Sequence, residues 1–186
     1  MISHKHEFVF IHINKTGGTS IVKSLGVRSD HPRAKRALEY SQKKAWKDYF
    51  KFAFVRNPWD KECSDYHYHS RLAHKDTNRK KLSFEEYLKL PELHPQHKDY
   101  FWHSNQLDWL RSLNHEIEMD FIGRFESLQE DFDTVCDRIG MPRRQLPHKN
   151  SSSHDSYTKY YTDETREIVA NQYAKDIEYF GYRFGE

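Results

Sequence analysis

The strongest constraint on the fold lies near the N-terminus, where an apolar run leads through a glycine pair into a helical pattern. Five of the six residues in Phe8–Ile13 are apolar and either β-branched or aromatic, which predicts a buried strand. Gly17 and Gly18 follow, and the apolar spacing of residues 18–25 predicts a helix. Glycines let the backbone approach an anion, the N–H groups of a helix start point at it, and Lys15 adds a positive charge. The segment therefore predicts a phosphate-binding turn between a strand and a helix.

The order of residues in this turn separates it from the common nucleotide-binding loop. In that loop, G-x-x-x-x-G-K-[ST], the lysine follows the glycines. Here Lys15 precedes Gly17 and Gly18, and no glycine lies upstream in the loop. This order disfavours ATP or GTP as the ligand. The structural alternative is a strand that turns into a helix beside an incidental lysine, because glycine pairs are common at turns.

A second segment repeats the strand-to-helix design. Residues 51–55 predict a strand, and the proline that follows suits the first turn of a helix predicted over residues 58–72. Arg56 ends the strand, and Ser64 lies eight positions later in the predicted helix. A guanidinium offers a planar fork that suits phosphate oxygens, and a serine hydroxyl can add a contact. Taken alone, an arginine at such a helix start is more often structural, because Asp60 can cap the helix or pair locally.

Alternating strands and helices continue along the chain. Residues 120–125 predict a third strand, and Gly26 predicts the end of the first helix. This alternation predicts an α/β fold with a mainly parallel central sheet flanked by helices, in a single domain over residues 1–186. Ligands of such folds bind at the carboxyl ends of strands, where both phosphate-type segments fall. Further helices are predicted at residues 33–49, 83–90 (with Ser83 opening a capping box), 98–113, 127–139 and 163–179 (capped by Thr162).

Composition and charge narrow the class of protein. Charged residues make up 31% of the 186-residue chain and aromatic residues 15%, which predicts a soluble globular protein. No apolar run approaches the length of a membrane span, and the N-terminus enters the first strand without room for a signal peptide. Cys63 and Cys136 lie far apart and form no metal-type pair. We therefore expect a cytoplasmic protein without a membrane anchor.

The distribution of basic residues is more informative than the formal net charge of +2. Residues 28–51 contain eight lysines and arginines against three acidic residues. This excess either favours an anionic ligand nearby or marks a solvated helix face. The chain has no motif typical of proteins that bind DNA or RNA, so no nucleic-acid partner is expected.

Both phosphate-type segments resemble those of a known enzyme family. Lys15-Thr-Gly-Gly-Thr-Ser20 after an apolar strand resembles the 5′-phosphosulfate loop of sulfotransferases, which use 3′-phosphoadenosine 5′-phosphosulfate (PAPS) as donor. The Arg56–Ser64 segment resembles the part of those enzymes that holds the 3′-phosphate of PAPS. Residues 120–132 and 160–182 resemble the carbohydrate-type branch of the superfamily, which includes the heparan-sulfate 2-O-sulfotransferase relatives. The likeness covers most of the chain and is specific in the two phosphate segments.

The resemblance implies a fold, a reaction and a set of site residues. It implies a P-loop-like three-layer fold and in-line transfer of a sulfuryl group from PAPS to an acceptor hydroxyl of a saccharide, with PAP as product and no metal. Lys15 would contact the 5′-phosphate and the bridging oxygen, while Arg56 and Ser64 would hold the 3′-phosphate. The cradle would be completed by the backbone N–H groups of Thr16, Gly17, Gly18 and Thr19, with the hydroxyls of Thr19 and Ser20.

A general base is also required, and histidine suits this role because its pKa lies near neutrality. His31 lies between the two phosphate segments, as the catalytic histidine does in the carbohydrate-type relatives, and we predict that it is the base. His67 and His69 share the predicted helix of Ser64 and are alternatives. Asp30 and Glu62 are further candidates. His12, inside the first strand, is instead expected to be a buried core residue.

Three functional classes remain open on the sequence. The first is a PAPS-dependent sulfotransferase. The second is a P-loop kinase-like phosphotransferase, which would need Mg²⁺ and an acidic ligand after a strand, and no acidic residue in the sequence fits that place convincingly. The third is a non-catalytic protein of the same fold that binds a nucleotide or an anionic glycan. Two features are equally open: the polar loop at residues 149–154 either covers a bound donor or is simply exposed, and Arg124 either contacts the donor or forms a structural ion pair.

Overall fold

The protein divides into two compact units. The computed structural model describes residues 1–27, 43–75, 81–90, 104–112, 115–147 and 156–186. Unit 1 comprises Met1–Arg56 and Gln106–Asn150, and unit 2 comprises Asn57–Asn105 and Ser151–Glu186. The expectation of a single domain stays a prediction. None of the helices in the described ranges is long and apolar enough to cross a membrane.

Unit 1 contains a four-stranded sheet. Its strands are β1 (Ile2–Ser3), β2 (Phe8–Ile11), β3 (Phe50–Val55) and β4 (Phe121–Arg124), in that spatial order. β2 pairs with β3 and β3 with β4 in parallel, whereas β1 pairs with β2 in antiparallel orientation. The mixed α/β class and the three predicted strands are confirmed, but the sheet is parallel in only part. A strand of two residues is too short to show a periodicity, so the sequence pattern did not reveal β1.

Helices and 3-10 turns account for most of the other described residues. In unit 1 the helices are α1 (Gly18–Leu25), α2 (Lys43–Asp48), α5 (Gln106–Leu110) and α6 (Leu128–Arg138), with a 3-10 turn at Phe125–Ser127. In unit 2 they are α3 (Pro58–Lys75), α4 (Phe84–Leu88), α7 (Asp163–Gln172) and α8 (Ala174–Phe180), with a 3-10 turn at Tyr157–Tyr160.

The core of unit 1 is built on phenylalanine side chains from the sheet. Phe10 and Phe52 are register partners, and their fully buried rings stack with centroids 4.8 Å apart. Because side chains alternate along a strand, residues two positions away share this face of the sheet. Gly123 leaves room for the ring of Phe54, since a Cβ there would lie 2.6 Å from it. α1 and α6 cover this face with Ile21, Val22, Leu25, Phe132, Val135 and Cys136.

Several helix ends follow from local sequence. Gly26 adopts a left-handed conformation with φ 66° and caps α1, as predicted. Ser83 forms the predicted capping box with Glu86 at the start of α4. Thr162 caps α7 as predicted, although its capping-box partner is a threonine, Thr165.

Three helix predictions need correction or are met in part. The helix predicted over 163–179 is broken into α7 and α8 at Tyr173, because the backbone there has φ −108° and ψ 24°, outside the helical region. The Tyr173 side chain is buried, and its hydroxyl donates a hydrogen bond to Glu62. Within the helix predicted over 98–113, the described part forms only α5, and Arg111 leaves it for a β-bridge with Ile117. Of the helix predicted over 33–49, Lys43–Asp48 is helical and residues 33–42 lie outside the described ranges.

Candidate functional site

The loop between β2 and α1 contains two left-handed backbone positions. Gly17 has φ 80° and Lys15 has φ 62°. This conformation costs a non-glycine residue about 1 kcal/mol or more, so neighbouring contacts must hold Lys15 in it. Gly17 is also the N-cap residue of α1 and has no side chain with which to cap the first turn. The N–H groups at the start of α1 therefore suit an anion.

Close packing around the glycine pair explains why glycine is needed at both positions. A Cβ on Gly18 would lie 2.0 Å from the ring of His12, and a Cβ on Gly17 would lie 2.7 Å from the side chain of Leu128. His12 is buried, as expected, and its ring stacks on that of Phe10 with centroids 5.6 Å apart. The backbone of the loop thus lies directly against the core.

Arg56, the first residue of the second phosphate-type segment, contacts the first segment within unit 1. Arg56 follows β3, and because β2 and β3 are parallel their carboxyl ends lie at the same edge of the sheet. Nη1 of Arg56 donates a hydrogen bond of 2.9 Å to the carbonyl oxygen of Lys15. The two segments predicted separately from the sequence are therefore in direct contact, and this contact is one that holds the strained backbone of Lys15.

Two residues that the sequence analysis did not single out hold Arg56 in place. The side chain of Gln106, fully buried at the start of α5, accepts from the backbone N–H of Arg56 at 2.9 Å and donates to its carbonyl oxygen at 2.8 Å. The ring of Phe125 lies under the guanidinium, 3.8 Å from Cζ to the ring centroid. The position of Phe125 at the end of a predicted strand was a usable signal, whereas Gln106 lies in a region without a motif.

The hydroxyl groups of the loop differ in their partners. Oγ1 of Thr16 is buried and donates to the carbonyl oxygen of Ile13 at 3.0 Å. Oγ of Ser20 donates to the carbonyl oxygen of Pro147 at 2.9 Å. Thr19 is exposed. Each hydroxyl has a single proton to donate, so among the loop hydroxyls that of Thr19 best suits an anion from solvent.

The other predicted site residues belong to other elements or fall outside the described ranges. Ser64 is half-buried on α3, in unit 2. His31, Asp30 and the loop at residues 149–154 fall in ranges that the structure does not describe. Their predicted roles stay predictions. Arg124, at the end of β4, is exposed, and its backbone N–H donates to a carboxylate oxygen of Asp131 at 2.6 Å.

The two alternative histidines lie in different surroundings on α3. Nε2 of His69 lies 3.6 Å from Oδ2 of Asp65, and 41% of the His69 side chain is exposed. The hydroxyl of Tyr87 donates to the same Asp65 oxygen at 2.8 Å. The ring of His67 packs edge-on against Tyr160 with centroids 4.8 Å apart. The carboxylate of Asp65 is placed to orient the imidazole of His69.

Glu62 belongs to the interior of unit 2. Its carboxylate is fully buried, accepts from the hydroxyl of Tyr173 at 2.5 Å and lies 3.3 Å from Nζ of Lys61. Burial, followed by the charge of Glu62, raises the pKa of Tyr173 well above its usual value. An acceptor hydroxyl would not reach this carboxylate without opening the unit, so the geometry favours a structural role for Glu62.

The described residues contain no cluster of three or more histidine, cysteine, aspartate or glutamate side chains arranged to hold a metal ion. Two cationic residues lie at the carboxyl edge of the sheet, next to the glycine loop. Lys15 and Arg56 lie there beside the start of α1. This arrangement suits a phosphorylated or sulfated ligand.

Comparison with known proteins identifies the family. The family model described as "Sulfotransferase family" matches residues 1–183, so the chain belongs to the sulfotransferase family. An uncharacterized protein of Archaeoglobus fulgidus is 36% identical over 117 residues, which are 63% of this chain and 89% of that protein. No solved structure gives a significant match.

Proposed function

We propose that this member of the sulfotransferase family transfers a sulfuryl group from PAPS to an acceptor hydroxyl, and that the hydroxyl belongs to a carbohydrate. Family membership supports sulfuryl transfer and implies a P-loop-like fold. The observation that best supports the proposal is the hydrogen bond between Arg56 and Lys15. It joins a loop of the 5′-phosphosulfate type to a segment of the 3′-phosphate type, and PAPS is a donor that carries both groups.

The proposed roles follow from the charge that changes in the reaction. As the sulfur–oxygen bond to the acceptor forms, the bond between sulfur and the bridging oxygen of the 5′-phosphate breaks, and negative charge grows on the leaving PAP. The ammonium group of Lys15 and the N–H groups at the start of α1 would stabilise that charge. Arg56 and Ser64 would hold the 3′-phosphate. Sulfuryl transfer resembles phosphoryl transfer in this respect, so positioning and electrostatic stabilisation supply most of the catalysis.

The proton of the acceptor hydroxyl needs a base as the new bond forms. We retain His31 for this role on its place in the sequence between the two phosphate segments. His69, with Asp65 beside it, is a described alternative for the same role. Replacing each by asparagine and measuring turnover against pH distinguishes them, because only the true base contributes the ionisation that limits the rate on the acid side.

The carbohydrate acceptor is proposed from the resemblance of residues 120–132 and 160–182 to the carbohydrate-type branch. A panel of acceptors tests it directly. Purified protein is incubated with ³⁵S-labelled PAPS and, separately, uronic-acid-containing polysaccharides, simple sugars, phenols and steroids. Transfer to saccharides supports the proposal. Transfer confined to phenols or steroids would retain sulfuryl transfer and overturn the carbohydrate acceptor.

Ligand binding tests the donor site independently of the acceptor. We expect calorimetry to show that the protein binds PAP, and that Lys15→Ala and Arg56→Ala each remove most of the binding. Lys23→Ala, at the other end of α1, and Arg138→Ala, on α6, are matched controls that remove one exposed positive charge each. Undiminished PAP binding in both site variants would refute the site assignment. Mg²⁺-dependent ATP binding in place of PAP would favour the phosphotransferase alternative.

A further inference from the structure

Arg56 has the features of a side chain held ready for a ligand. Only 7% of the residue is exposed, and its guanidinium donates to the carbonyl oxygen of Lys15. Its backbone N–H and carbonyl groups are both bonded to the side chain of Gln106. A long flexible side chain loses rotamer entropy when it binds a phosphate, and contacts that fix it beforehand reduce that cost.

The ring under the guanidinium comes from the neighbouring strand. β3 and β4 are parallel, and Val55 is the register partner of Arg124. The next residues along both strands are Arg56 and Phe125, so the sheet register itself brings them side by side. Cζ of Arg56 lies 3.8 Å from the centroid of the Phe125 ring, well within the range of a cation–π interaction.

The same ring also contacts the glycine loop. A Cβ placed on Gly17 would lie 3.3 Å from Cδ2 of Phe125, which is tighter than an ordinary contact. Phe125 therefore packs against the glycine loop that resembles the 5′-phosphosulfate loop. It also stacks against the guanidinium of Arg56, in the segment that resembles the 3′-phosphate site. It is half-buried and makes these contacts from the 3-10 turn that follows β4.

We infer that Phe125 is a positioning residue, which holds the guanidinium of Arg56 in the orientation that binds the 3′-phosphate of the donor. The inference rests on the proposed function. A ring face attracts a cation and leaves the edges of the planar guanidinium, where its N–H donors lie, directed sideways. Phe125 thereby determines selectivity for a nucleotide phosphorylated at both the 3′ and 5′ positions over one phosphorylated at the 5′ position alone.

The test compares two ligands in matched variants. Phe125→Leu removes the aromatic face and keeps an apolar side chain against Gly17, whereas Phe125→Tyr keeps the ring. We expect Phe125→Leu to weaken PAP binding roughly three- to thirtyfold while leaving the binding of adenosine 5′-monophosphate nearly unchanged, and Phe125→Tyr to retain the wild-type preference for PAP. Phe121→Leu is the control, because Phe121 packs against the core from the other end of β4.

The outcomes separate this inference from the proposed function. If the wild type binds PAP and Arg56→Ala loses the preference for PAP but folded Phe125→Leu keeps it, the positioning role is overturned and the function stands. An equal loss for both ligands in Phe125→Leu would indicate a merely structural role and also overturns it. If the wild type shows no preference for PAP, the proposed function itself fails. Should Phe125→Leu fold poorly in circular dichroism, Phe125→Met provides the same comparison.

Discussion

Arg56 and Lys15 are 41 positions apart in the chain and are joined by a hydrogen bond of 2.9 Å from Nη1 to the carbonyl oxygen. The bond has two consequences. It fixes a left-handed backbone conformation at Lys15, and it links the two segments that we propose to hold the two phosphate groups of the donor. A change at either segment should therefore affect the other.

The first prediction uses the shape of the guanidinium. Arg56→Lys keeps the positive charge but loses the planar fork, so one ammonium group cannot hold Lys15, stack on Phe125 and bind a phosphate with the same geometry. We expect PAP affinity to fall by roughly tenfold or more. Calorimetry at two salt concentrations measures it, with Arg138→Lys on the exposed end of α6 as the control. If Arg56→Lys binds PAP as tightly as the wild type does, the positive charge alone is sufficient for binding at this position.

The second prediction concerns the close approach of Gly18 to His12. A Cβ on Gly18 would lie 2.0 Å from the His12 ring, so Gly18→Ala must displace a buried side chain. We expect the free energy of unfolding to fall by about 1–3 kcal/mol or more in urea denaturation. Gly140→Ala is the comparison, because Gly140 has φ 65° and open space around its Cβ position. There we expect a loss of about 1 kcal/mol, from backbone strain alone.

A double variant shows whether the contact with His12 is the cause. In a His12→Ala background the space opens, and the further cost of Gly18→Ala should shrink or vanish. The two substitutions would then be non-additive, as expected for residues in contact. Equal costs of Gly18→Ala in both backgrounds would mean that something other than the ring makes alanine unfavourable.

The third prediction concerns Gln106. Gln106→Leu leaves the buried N–H and carbonyl groups of Arg56 without their side-chain partner. An unsatisfied buried polar group costs about 1–3 kcal/mol, so we expect a loss of stability of roughly 3 kcal/mol. Gln129→Leu is a matched control, since Gln129 bonds the backbone of Leu146 and Arg144 from a partly exposed position, where water can replace it. Similar losses of stability in the two variants would contradict a special role for the two hydrogen bonds between Gln106 and the backbone of Arg56.

Local sequence predicted the strand, the turn and the helix caps better than it predicted the residues that hold Arg56 in place. The strand, the glycine pair and the caps at Gly26, Ser83 and Thr162 depend on neighbours within a few residues, and the structure has them as expected. The sequence also predicted that both segments lie at the carboxyl ends of strands, and parallel strands bring these ends to one edge of the sheet.

Features that depend on long-range contacts were not predictable in this way. The helix predicted through Tyr173 has a continuous apolar spacing, yet the helix is interrupted at this buried residue, whose hydroxyl bonds to Glu62, 111 positions away. The side chain of Gln106 makes two hydrogen bonds to the backbone of Arg56, 50 positions away. Hydrophobic periodicity gives no signal for such contacts. Phe125 matters only because the register of β3 and β4 brings it beside Arg56.

The last prediction is the response of unit 2 to alkaline pH. Burial is the largest cause that raises the pKa values of Tyr87, Tyr161 and Tyr173 above the usual 10.0, and the charge of Glu62 adds to it in all three. Because the folded state keeps these protons more tightly than the unfolded state, their contribution to stability is fully present below about pH 10 and is lost as the pH rises further. The free energy of unfolding should then fall by up to about 1.4 kcal/mol per pH unit for each tyrosine.

Urea denaturation between pH 9 and pH 11.5 measures this slope. Tyr173→Phe lowers stability at every pH because Glu62 loses the hydroxyl that donates to it, but it also removes one tyrosine that must stay protonated. We therefore expect its stability to fall less steeply with pH, by up to about 1.4 kcal/mol per unit. Tyr68→Phe, which removes the hydroxyl of a residue that is 45% exposed, is the matched control for the loss of one tyrosine. A wild-type slope in Tyr173→Phe would show that Tyr173 ionises as readily in the folded protein as in the unfolded chain, contrary to its burial beside Glu62.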